Sequence, residues 1–286
     1  MNSNAENTIK LLHVSDLHFG PPYLEAVGEA ALNIGMALNP DAVIISGDLT
    51  QRATREQFIA ARGFLERLPE VPRLVIPGNH DVPLYRLWER MFSPHGLYKE
   101  IISEDLNPVL KIRGAVIAGI DSTAPHTAIS NGRISEWQLD ACEQVFRDTP
   151  EDVARIVVAH HHFAPAPDYL HDSIMPKAKR AIERFADLKV DMILGGHLHR
   201  AYIGNSLDFY PGKHRDRGII ITQCGTTTSR RGRGREREKN SLNLVAIGTD
   251  FITIVHYVYF QENGVFEAVS RHTFRRGILP GSWAAI

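Results

Sequence analysis

The sequence predicts an α/β fold in which two packed β-sheets carry helices on their outer faces. Three observations lead to this prediction. Strands and helices alternate up to about residue 76, which is typical of parallel strands joined by helical crossovers. The alternation continues, less regularly, to about residue 199. After residue 200, short apolar runs follow one another with only turns between them, which predicts a mostly antiparallel second sheet.

The first part of the chain has the pattern β-α-β-α-β. Its three short apolar runs are typical of buried strands, and the two segments between them have helical spacing. The second helix begins with the capping-box pattern Thr54-Arg55-Glu56-Gln57. The predicted elements are strands at 9–14, 42–45 and 74–76, with helices at 24–38 and from 54 to about 68.

The middle of the chain combines paired strands, single strands and helices. Arg113-Gly114 supplies a turn between two strands, and Ser135-Glu136-Trp137-Gln138 is a second capping box that predicts the start of a helix. The predicted elements are strands at 109–112, 115–120, 156–159 and 192–194, with helices at 84–92, from 135 onward and at 178–188.

The last third of the chain predicts strands joined by tight turns. The segments 248–250 and 262–264 are typical hairpin connections, because each is short and contains glycine with Asp or Asn. The predicted strands lie at 218–222, 242–247, 251–260 and 265–273.

Five predicted strands end in side chains that can ligate a metal. Polar residues at the carboxyl ends of parallel strands lie at one edge of a sheet, where open α/β sheets keep their active sites. In an extended segment, residues i and i+2 point to the same side, so the members of each D-x-H or H-x-H pair can reach one centre. The five motifs are Asp16-x-His18, Gly47-Asp48, Gly78-Asn79-His80-Asp81, His160 and Gly196-His197-x-His199.

The types of donor in these motifs indicate a class of metal. Carboxylate, amide and imidazole are ligands of borderline hardness, and they suit Mn²⁺, Fe, Zn²⁺, Co²⁺ or Ni²⁺ better than Ca²⁺. The two cysteines, Cys142 and Cys224, are far apart and form neither a metal motif nor a disulfide framework. The sequence therefore predicts a transition-metal site without thiolate ligands.

The composition is that of a globular protein in a reducing compartment. The chain has 286 residues, of which 43% are hydrophobic and 23% charged, and with a net charge of −1 no global field argues for nucleic-acid or membrane partners. The N-terminus lacks the features of a signal peptide and no apolar run approaches ~18 residues, so we expect a cytoplasmic protein. We expect one domain over residues 1–286, with a metal-site core at 9–200, second-sheet strands and an Arg-rich loop at 201–274, and a tail at 275–286.

Taken in order, the motifs D-x-H, G-D, G-N-H-D, H and G-H-x-H closely resemble those of the calcineurin-like metallophosphoesterase superfamily. They span residues 16–199, which is most of the chain. The context of Asn79, the triple-histidine run at 160–162 and the chain length are most similar to the class III cyclic-nucleotide phosphodiesterase branch. The resemblance implies the metallo-dependent phosphatase fold, a four-layer α/β/β/α sandwich of two mixed sheets, with a two-metal centre.

By motif position, the resemblance also implies a set of ligands. In the triple-histidine run, His160 is chosen because it directly follows the apolar strand. The cofactors would be two divalent ions, with Mn, Fe, Zn and Co as the candidates. The first metal would be held by Asp16, His18, Asp48 and His199. The second metal would be held by Asp48, which bridges the two, and by Asn79, His160 and His197.

The same resemblance implies roles in substrate binding and catalysis. His80 would contact the phosphate and assist the leaving oxygen, and Asp81 would orient His80. Asn79 and His162 would also contact the substrate, and His161 could face it too, unless one of these two histidines packs inward. A hydroxide bridging the two metals would attack phosphorus in line, so no covalent phospho-enzyme is needed.

Three functions follow from these expectations. The preferred function is hydrolysis of a phosphodiester, with a cyclic nucleotide as one candidate substrate. The second keeps the same centre but acts on a phosphomonoester or, as a pyrophosphatase, on a nucleotide-sugar lipid, with residues 163–167 and 230–239 as parts of a lid. The third is a non-catalytic scaffold of the same fold. The expected partner is a small phosphate ester, a homodimer is left open, and a nuclease is a weaker alternative because the chain is near neutral.

The Arg-rich run at 230–239 has two interpretations. It could be a flap that meets an anionic substrate, lipid headgroups or nucleic acid. It could also be a solvated hairpin loop, and Glu236 and Glu238 favour this interpretation because they interrupt the positive charge.

Overall fold

A computed structural model of the chain describes residues 8–127, 131–166, 173–210, 218–233, 237 and 239–276. Parts of three segments discussed above lie outside these residues, namely residue 167, residues 234–236 and 238 of the Arg-rich run, and residues 277–286 of the tail. The polar residues 1–7 also lie outside them. Among the helices of the described residues, none is both long enough and apolar enough to cross a bilayer.

The described residues contain twelve strands, which alternate with helices in the first part of the chain. In chain order the strands are β1 (Ile9–Val14), β2 (Ala42–Ile45), β3 (Arg73–Val75), β4 (Val109–Ile112), β5 (Ala115–Ile120), β6 (Ala154–Ala159), β7 (Met192–Gly195), β8 (Tyr202–Asn205), β9 (Ile220–Gln223), β10 (Ser241–Ile247), β11 (Phe251–Phe260) and β12 (Val265–Arg275).

The helices of the described residues are mostly those that connect the strands. They are α1 (Glu25–Leu38), α2 (Arg55–Arg67), α3 (Leu87–Phe92), α4 (Gly96–Ile101), α5 (Glu136–Arg147), α6 (Ala178–Asp187) and α7 (Ser206–Phe209), together with a 3₁₀ turn at Asn79–Asp81. The short elements α4, β8 and α7 were not predicted, because runs of four to six residues carry too little periodicity to be recognised.

The strands form two mixed six-stranded sheets. The first sheet has the order β12-β11-β10-β1-β2-β3 and the second has the order β4-β5-β6-β7-β9-β8. Strands β1, β2 and β3 are parallel, as are β5, β6, β7 and β9. This confirms the predicted sandwich of two mixed sheets flanked by helices.

The strands after residue 200 do not form a sheet of their own, and the expectation of a separate antiparallel sheet is wrong. Strands β8 and β9 extend the second sheet, because β9 pairs in parallel with β7. Strands β10 to β12 extend the first sheet, because β10 pairs antiparallel with β1. The late strands therefore cover edges that the earlier β-α-β units leave open, since an uncovered edge exposes unpaired backbone groups.

The two sheets face each other across a dry core. Alternate residues of β1 and β2, such as Leu11 and Ile44, meet residues of the second sheet such as Ile117, Ile156 and Leu194. The intervening residues point the other way, where they pack beneath α1 and α2. Because both faces of these strands are buried, their sequence is continuously apolar and not alternating.

The outer face of the second sheet packs against α5 and α6. Phe163 and Ala164 belong to this outer core and are fully buried, together with Phe185 of α6. Phe163, Ala164 and Ala166 are therefore buried and not part of an exposed lid, which corrects one element of the pyrophosphatase alternative. Cys142 and Cys224 are both buried thiols.

Both predicted capping boxes lie at helix starts. Thr54 is the N-cap of α2, and its side chain accepts a hydrogen bond from the Gln57 N–H (3.4 Å). The Gln138 side chain accepts one from the Ser135 N–H (2.8 Å) at the start of α5. Each contact satisfies an amide that the helix itself cannot satisfy, so local sequence fixed where these helices begin.

Truncating a side chain of the inter-sheet core should destabilise the protein strongly. Ile44 is fully buried, and Ile44→Ala is expected to lower the free energy of unfolding by about 2–5 kcal/mol, because it removes apolar contacts and leaves a cavity. Urea unfolding followed by circular dichroism measures this loss. Ile59 on α2 is 56% exposed, so Ile59→Ala is the matched control and should change stability little. Equal losses in the two variants would contradict the assignment of the core.

Candidate metal centre

The loops that follow the parallel strands of the two sheets meet at one edge of the sandwich. The first sheet supplies the loops after β1 and β2, and the second supplies those after β6 and β7. Backbone hydrogen bonds tie neighbouring loops together, from Asp16 N–H to the Gly47 carbonyl (3.0 Å) and from Gly196 N–H to the His160 carbonyl (3.1 Å). Ligand-type side chains that are far apart in sequence are thereby held at fixed positions.

One cluster contains Asp16, His18, Asp48 and His199, and all four residues are buried. Their potential ligand atoms lie within 4.8 Å of one another. His199 Nε2 lies 3.1 Å from Asp16 Oδ1, and His18 Nε2 lies 3.5 Å from Asp48 Oδ2. Two carboxylates and two imidazoles thus converge on one small volume, as a metal site requires.

A second group of donors adjoins the first through Asp48. His160 Nε2 lies 3.4 Å from Asp48 Oδ2, the same oxygen that faces His18. Asn79 Oδ1 lies 3.3 Å from His160 Nε2 and 2.9 Å from His197 Nδ1. The structure therefore brings all seven sequence-predicted ligand residues together, in two groups that share one carboxylate oxygen.

Two buried carboxylate oxygens support the presence of a cation. Asp16 Oδ1 and Asp48 Oδ2 have no hydrogen-bond partner among the described residues. The other oxygen of each carboxylate is satisfied, since Asp16 Oδ2 accepts from Ser15 Oγ (2.7 Å) and Asp48 Oδ1 accepts from His80 N–H (2.8 Å). A buried anionic oxygen is costly unless it is paired or coordinates a metal, so these two atoms fit a cation between the histidines.

The histidine tautomers fit the same interpretation. The Nδ1–H of His160 donates to the Ser46 carbonyl (2.8 Å), and that of His199 donates to the Arg231 carbonyl (2.8 Å). A carbonyl can only accept, so the proton is placed on Nδ1 and the Nε2 lone pair points at the centre. Carbonyl contacts of this kind orient metal-ligating histidines.

Electrostatics keep the carboxylates ionised despite their burial. Burial favours a raised pKa for Asp16 and Asp48, but the neighbouring imidazoles, chiefly His199 for Asp16 and His160 for Asp48, hold both pKa values well below the usual range. Burial lowers the pKa of His18 to about 4, so that this ring is neutral. Burial also disfavours charge on His160, but Asp48 outweighs it and raises the pKa of His160 to about 9. The negative charge of Asp48 Oδ2 can therefore be balanced either by a protonated His160 or by a bound cation.

The backbone of the ligand loops is strained. Non-glycine residues with positive φ cost about 1–3 kcal/mol each and persist where the surrounding structure imposes them. The ligand segments are therefore not extended, and the i, i+2 argument used above does not describe them; the side chains converge through left-handed backbone. The ligand residues with positive φ are Asp16 (53°), His18 (50°), Asp48 (53°), His197 (72°) and His199 (53°).

Two glycines are required by close packing at this edge. A Cβ on Gly78 would lie 2.2 Å from Asp48 Oδ1, and a Cβ on Gly196 would lie 2.4 Å from Asp16 Oδ2. Both distances are far below van der Waals contact, so any side chain at these positions would displace a carboxylate. The glycines in G-N-H-D and G-H-x-H therefore leave the space that the Asp48 and Asp16 carboxylates occupy.

His80 and Asp81 have separate environments, which corrects the expected pairing between them. The Nδ1–H of His80 donates to the Gln51 carbonyl (2.9 Å), so Gln51 orients the ring. Asp81 accepts from the N–H groups of Gly78 (2.9 Å) and Thr50 (2.8 Å), and thereby ties the loop after β3 to the loop after β2. The 3₁₀ turn explains the difference, because successive side chains diverge by about a third of a turn. Burial and the Asp48 charge raise the pKa of Asp81 to about 7.

The triple-histidine run divides among three environments. His160 faces Asp48, and His161 accompanies Asn79 in the wall of an adjoining cavity of about 110 Å³. His162 is buried, and its ring stacks on that of His197 with 5.6 Å between centroids. Neither ring nitrogen of His162 has a hydrogen-bond partner among the described residues, and burial lowers its pKa to about 4. The geometry therefore favours His161 over His162 as a substrate neighbour.

Sequence reasoning missed a run of threonines that supports the first ligand loop. The Thr226 hydroxyl donates to the Asp16 carbonyl (2.7 Å), and the Thr228 hydroxyl donates to the Leu17 carbonyl (2.8 Å). The run Thr226-Thr227-Thr228 follows β9, another parallel strand of the second sheet. The only sequence signal for these threonines is that they are polar residues after a predicted strand. Their partners lie about 210 residues earlier, so the sequence does not reveal the contacts.

The arrangement of the donors matches a known family. The family described as "Calcineurin-like phosphoesterase" matches residues 9–201, well over half of the chain. The chain belongs to the calcineurin-like phosphoesterase family. The resemblance read from the five motifs is thereby confirmed.

Curated relatives of this phosphoesterase chain include proteins named as phosphodiesterases. A "Probable glycerophosphodiester phosphodiesterase GpdQ" of Arcobacter nitrofigilis is 30% identical over 56% of this chain and 57% of that protein. The "3',5'-cyclic adenosine monophosphate phosphodiesterase CpdA" of Escherichia coli K12 is 23% identical over 68% of this chain and 71% of that protein. The chain thus spans just over half the length of the Arcobacter relative.

A solved structure with the same fold is more distant in sequence. The purple acid phosphatase PPD1 of yellow lupin superposes with a TM-score of 0.70 at 12% identity, covering 94% of this chain and 54% of that one. At this identity the likeness establishes the shared fold of the phosphoesterase sandwich. It supports the packing of two mixed sheets described above.

Removing the charge of Asp48 should weaken metal binding. Asp48→Asn keeps the shape and the acceptor for His80 N–H but replaces the shared anionic oxygen. We expect elemental analysis of dialysed protein to show less bound metal, and added Mn²⁺ to raise the melting temperature less than in wild type. Asp250→Asn, in the exposed turn before β11, is the control and should behave as wild type. Unchanged metal content in Asp48→Asn would contradict this assignment.

Proposed function

We propose that the chain is a two-metal phosphodiesterase that hydrolyses a small phosphodiester. The observation that carries the proposal is the position of Asp48 Oδ2, which is buried and lies between two donor groups, 3.5 Å from His18 Nε2 and 3.4 Å from His160 Nε2. A single oxygen facing both groups is suited to bridging two cations. Membership of a phosphoesterase family supplies the reaction class.

The chain's own residues would hold the metals as the family motifs imply. Bound there, two divalent ions would supply an activated water and neutralise charge on the phosphoryl oxygens. Mn, Fe, Zn and Co all fit a set of carboxylate, amide and imidazole donors. One site would consist of Asp16, His18, Asp48 and His199, and the other of Asp48, Asn79, His160 and His197.

His80 is the residue proposed to serve the leaving oxygen. Its Nδ1–H is committed to Gln51, so its Nε2 is the nitrogen available to a ligand. The ring lies edge-on to His18, with 4.8 Å between centroids, beside the donor groups. Burial lowers the pKa of His80, whereas an anionic ester beside Nε2 favours the protonated ring. The protonated ring can donate that proton to the departing alkoxide.

Asp81 acts through the backbone in this proposal. Its carboxylate accepts from the N–H groups of Leu49 (3.1 Å), Thr50 (2.8 Å) and Gly78 (2.9 Å). These contacts hold the loop that carries Asp48 against the turn that carries Asn79 and His80. Asp81 is therefore a positioning residue for the centre as a whole.

The preference for a diester rests on the named relatives and on the small adjoining cavity. The relatives are named for glycerophosphodiester and cyclic-nucleotide substrates, both of which are diesters. The cavity of about 110 Å³ lies beside Asn79 and is lined by small residues such as Thr123, Ala124 and Gly132. Such a space suits a compact alcohol or sugar group attached to the phosphate.

A specific observation favours a second candidate, a phosphoester or pyrophosphate that carries an apolar group. Leu84 lines the cavity, and the segment after it is strongly exposed, with Tyr85 at 72%, Trp88 at 79% and Phe92 at 75%. An apolar lip of this kind is suited to a lipid-like substituent. This candidate keeps the centre and changes only the substrate. A non-catalytic scaffold would bind no metal and hydrolyse no ester.

Substrate class can be decided with chromogenic esters. We expect metal-reconstituted protein to hydrolyse bis-p-nitrophenyl phosphate faster than p-nitrophenyl phosphate, and chelation to abolish both activities. A panel of cyclic nucleotides, glycerophosphodiesters and nucleotide-sugar lipids then ranks natural candidates by kcat/KM. Monoester preference would reject the diesterase proposal, and the absence of both metal and activity would favour the scaffold.

The role of His80 predicts an effect that depends on the leaving group. His80→Ala should retain metal, because the ring is not among the proposed ligands, yet lower kcat for an alkyl ester by about 10²–10⁴-fold. A p-nitrophenyl ester should lose much less, because p-nitrophenolate departs without a proton. Steady-state kinetics with both esters measure the difference. His272→Ala on exposed β12 is the control, and equal losses for both esters would exclude the general-acid role.

A further inference from the structure

The side chain of Arg231 lies beside the metal centre. Its Nη1 donates to Gln51 Oε1 (2.9 Å), and the carbonyl of the same Gln51 accepts from His80 Nδ1–H (2.9 Å). Gln51 therefore joins the guanidinium to the ring proposed to serve the leaving oxygen. Arg231 is half-buried, whereas Arg230 and Arg233 of the same run are exposed.

The backbone around Arg231 is fixed on both sides. The Arg231 carbonyl accepts from His199 Nδ1–H (2.8 Å), and Arg230 N–H donates to the Pro22 carbonyl (2.9 Å). Arg233 N–H donates to the His199 carbonyl (3.2 Å). Backbone contacts therefore hold residues 230–233 against the ligand loops, while the side chains of Arg230 and Arg233 are exposed to solvent.

Bound cations would change the charge balance around Arg231. The negative charges of Asp48 and Asp16 act on Arg231, while Arg233 and Arg52 oppose its charge. A guanidinium stays protonated in proteins, so its charge must be balanced. Divalent cations held by the two carboxylates would offset those negative charges, so that an anionic ester would be needed to balance Arg231.

We propose that Arg231 is a substrate-binding residue, whose guanidinium hydrogen-bonds a non-bridging oxygen of the phosphoester on the His80 side of the centre. The proposal rests on the phosphodiesterase function above. Arginine suits this task because its planar fork of donors matches a pair of phosphoryl oxygens. The competing interpretation is a bracing role, in which Arg231 only holds Gln51.

Kinetics of matched arginine variants test the proposal. Arg231→Ala should lower kcat/KM for bis-p-nitrophenyl phosphate by about 10- to 150-fold, the loss of one charge-assisted hydrogen bond. Arg230→Ala, one residue away and exposed, should match wild type. Free guanidinium ion added to Arg231→Ala should restore part of the activity, which a bracing role does not predict. Unchanged kcat/KM, or a loss that guanidinium does not rescue, would overturn the proposal.

Metal content and phosphate binding separate this proposal from the proposed function. Only the backbone carbonyl of Arg231 contacts His199, so Arg231→Ala should keep the metal content of wild type, and a loss of metal would overturn the proposal in favour of a structural role. Calorimetry with inorganic phosphate on the metal-loaded proteins should show at least 10-fold weaker binding to Arg231→Ala. If wild type hydrolyses no ester, the proposed function fails, and phosphate binding alone then decides the role of Arg231. Equal phosphate affinity in wild type and Arg231→Ala would overturn the substrate-binding role of Arg231.

Discussion

Asp48 carries a buried negative charge between two groups of imidazoles, and the surrounding loops are arranged around it. One oxygen is satisfied by His80 N–H, and the other faces His18 and His160 without a hydrogen-bond partner among the described residues. Such a charge is tolerated only if a cation or a protonated imidazole lies against it. Position 78 must be glycine for the same reason, because a Cβ there would occupy the space of the Asp48 carboxylate.

Neither sheet could form the centre by itself. The first sheet supplies Asp16 and Asp48, while the second supplies His160, His197 and His199. The apolar core between the sheets fixes their separation, so the packing of residues such as Ile44 determines the distances between ligands. The ligand loops have left-handed backbone at five residues, and such strain persists only where the surrounding structure imposes it.

The candidate metal ligands and the residues proposed to contact the substrate lie in different parts of the molecule. The donors lie directly after regular strands, where backbone pairing restrains them. The cavity beside Asn79, the exposed segment around Trp88 and the guanidinium of Arg231 lie on the connections between strands. Connections vary more freely than strands, so one centre can serve many phosphate esters.

The sequence by itself predicted the sandwich, its first helices and strands, and seven candidate donor residues that the structure brings close together, because local patterns carry that information. Apolar runs mark buried strands, Thr54 and Ser135 mark helix starts, and polar residues after strands mark the active edge. The tertiary structure alone decided which sheet each of the strands β8 to β12 joins, because a strand can pair with an open sheet edge whatever their separation in sequence. It also decided that Gln51 and not Asp81 orients His80, and that Arg231 and the threonines after β9 reach the site. These contacts join residues about 29 to 210 positions apart, and hydrogen-bond partners at such separations are set by packing and leave no local pattern to read.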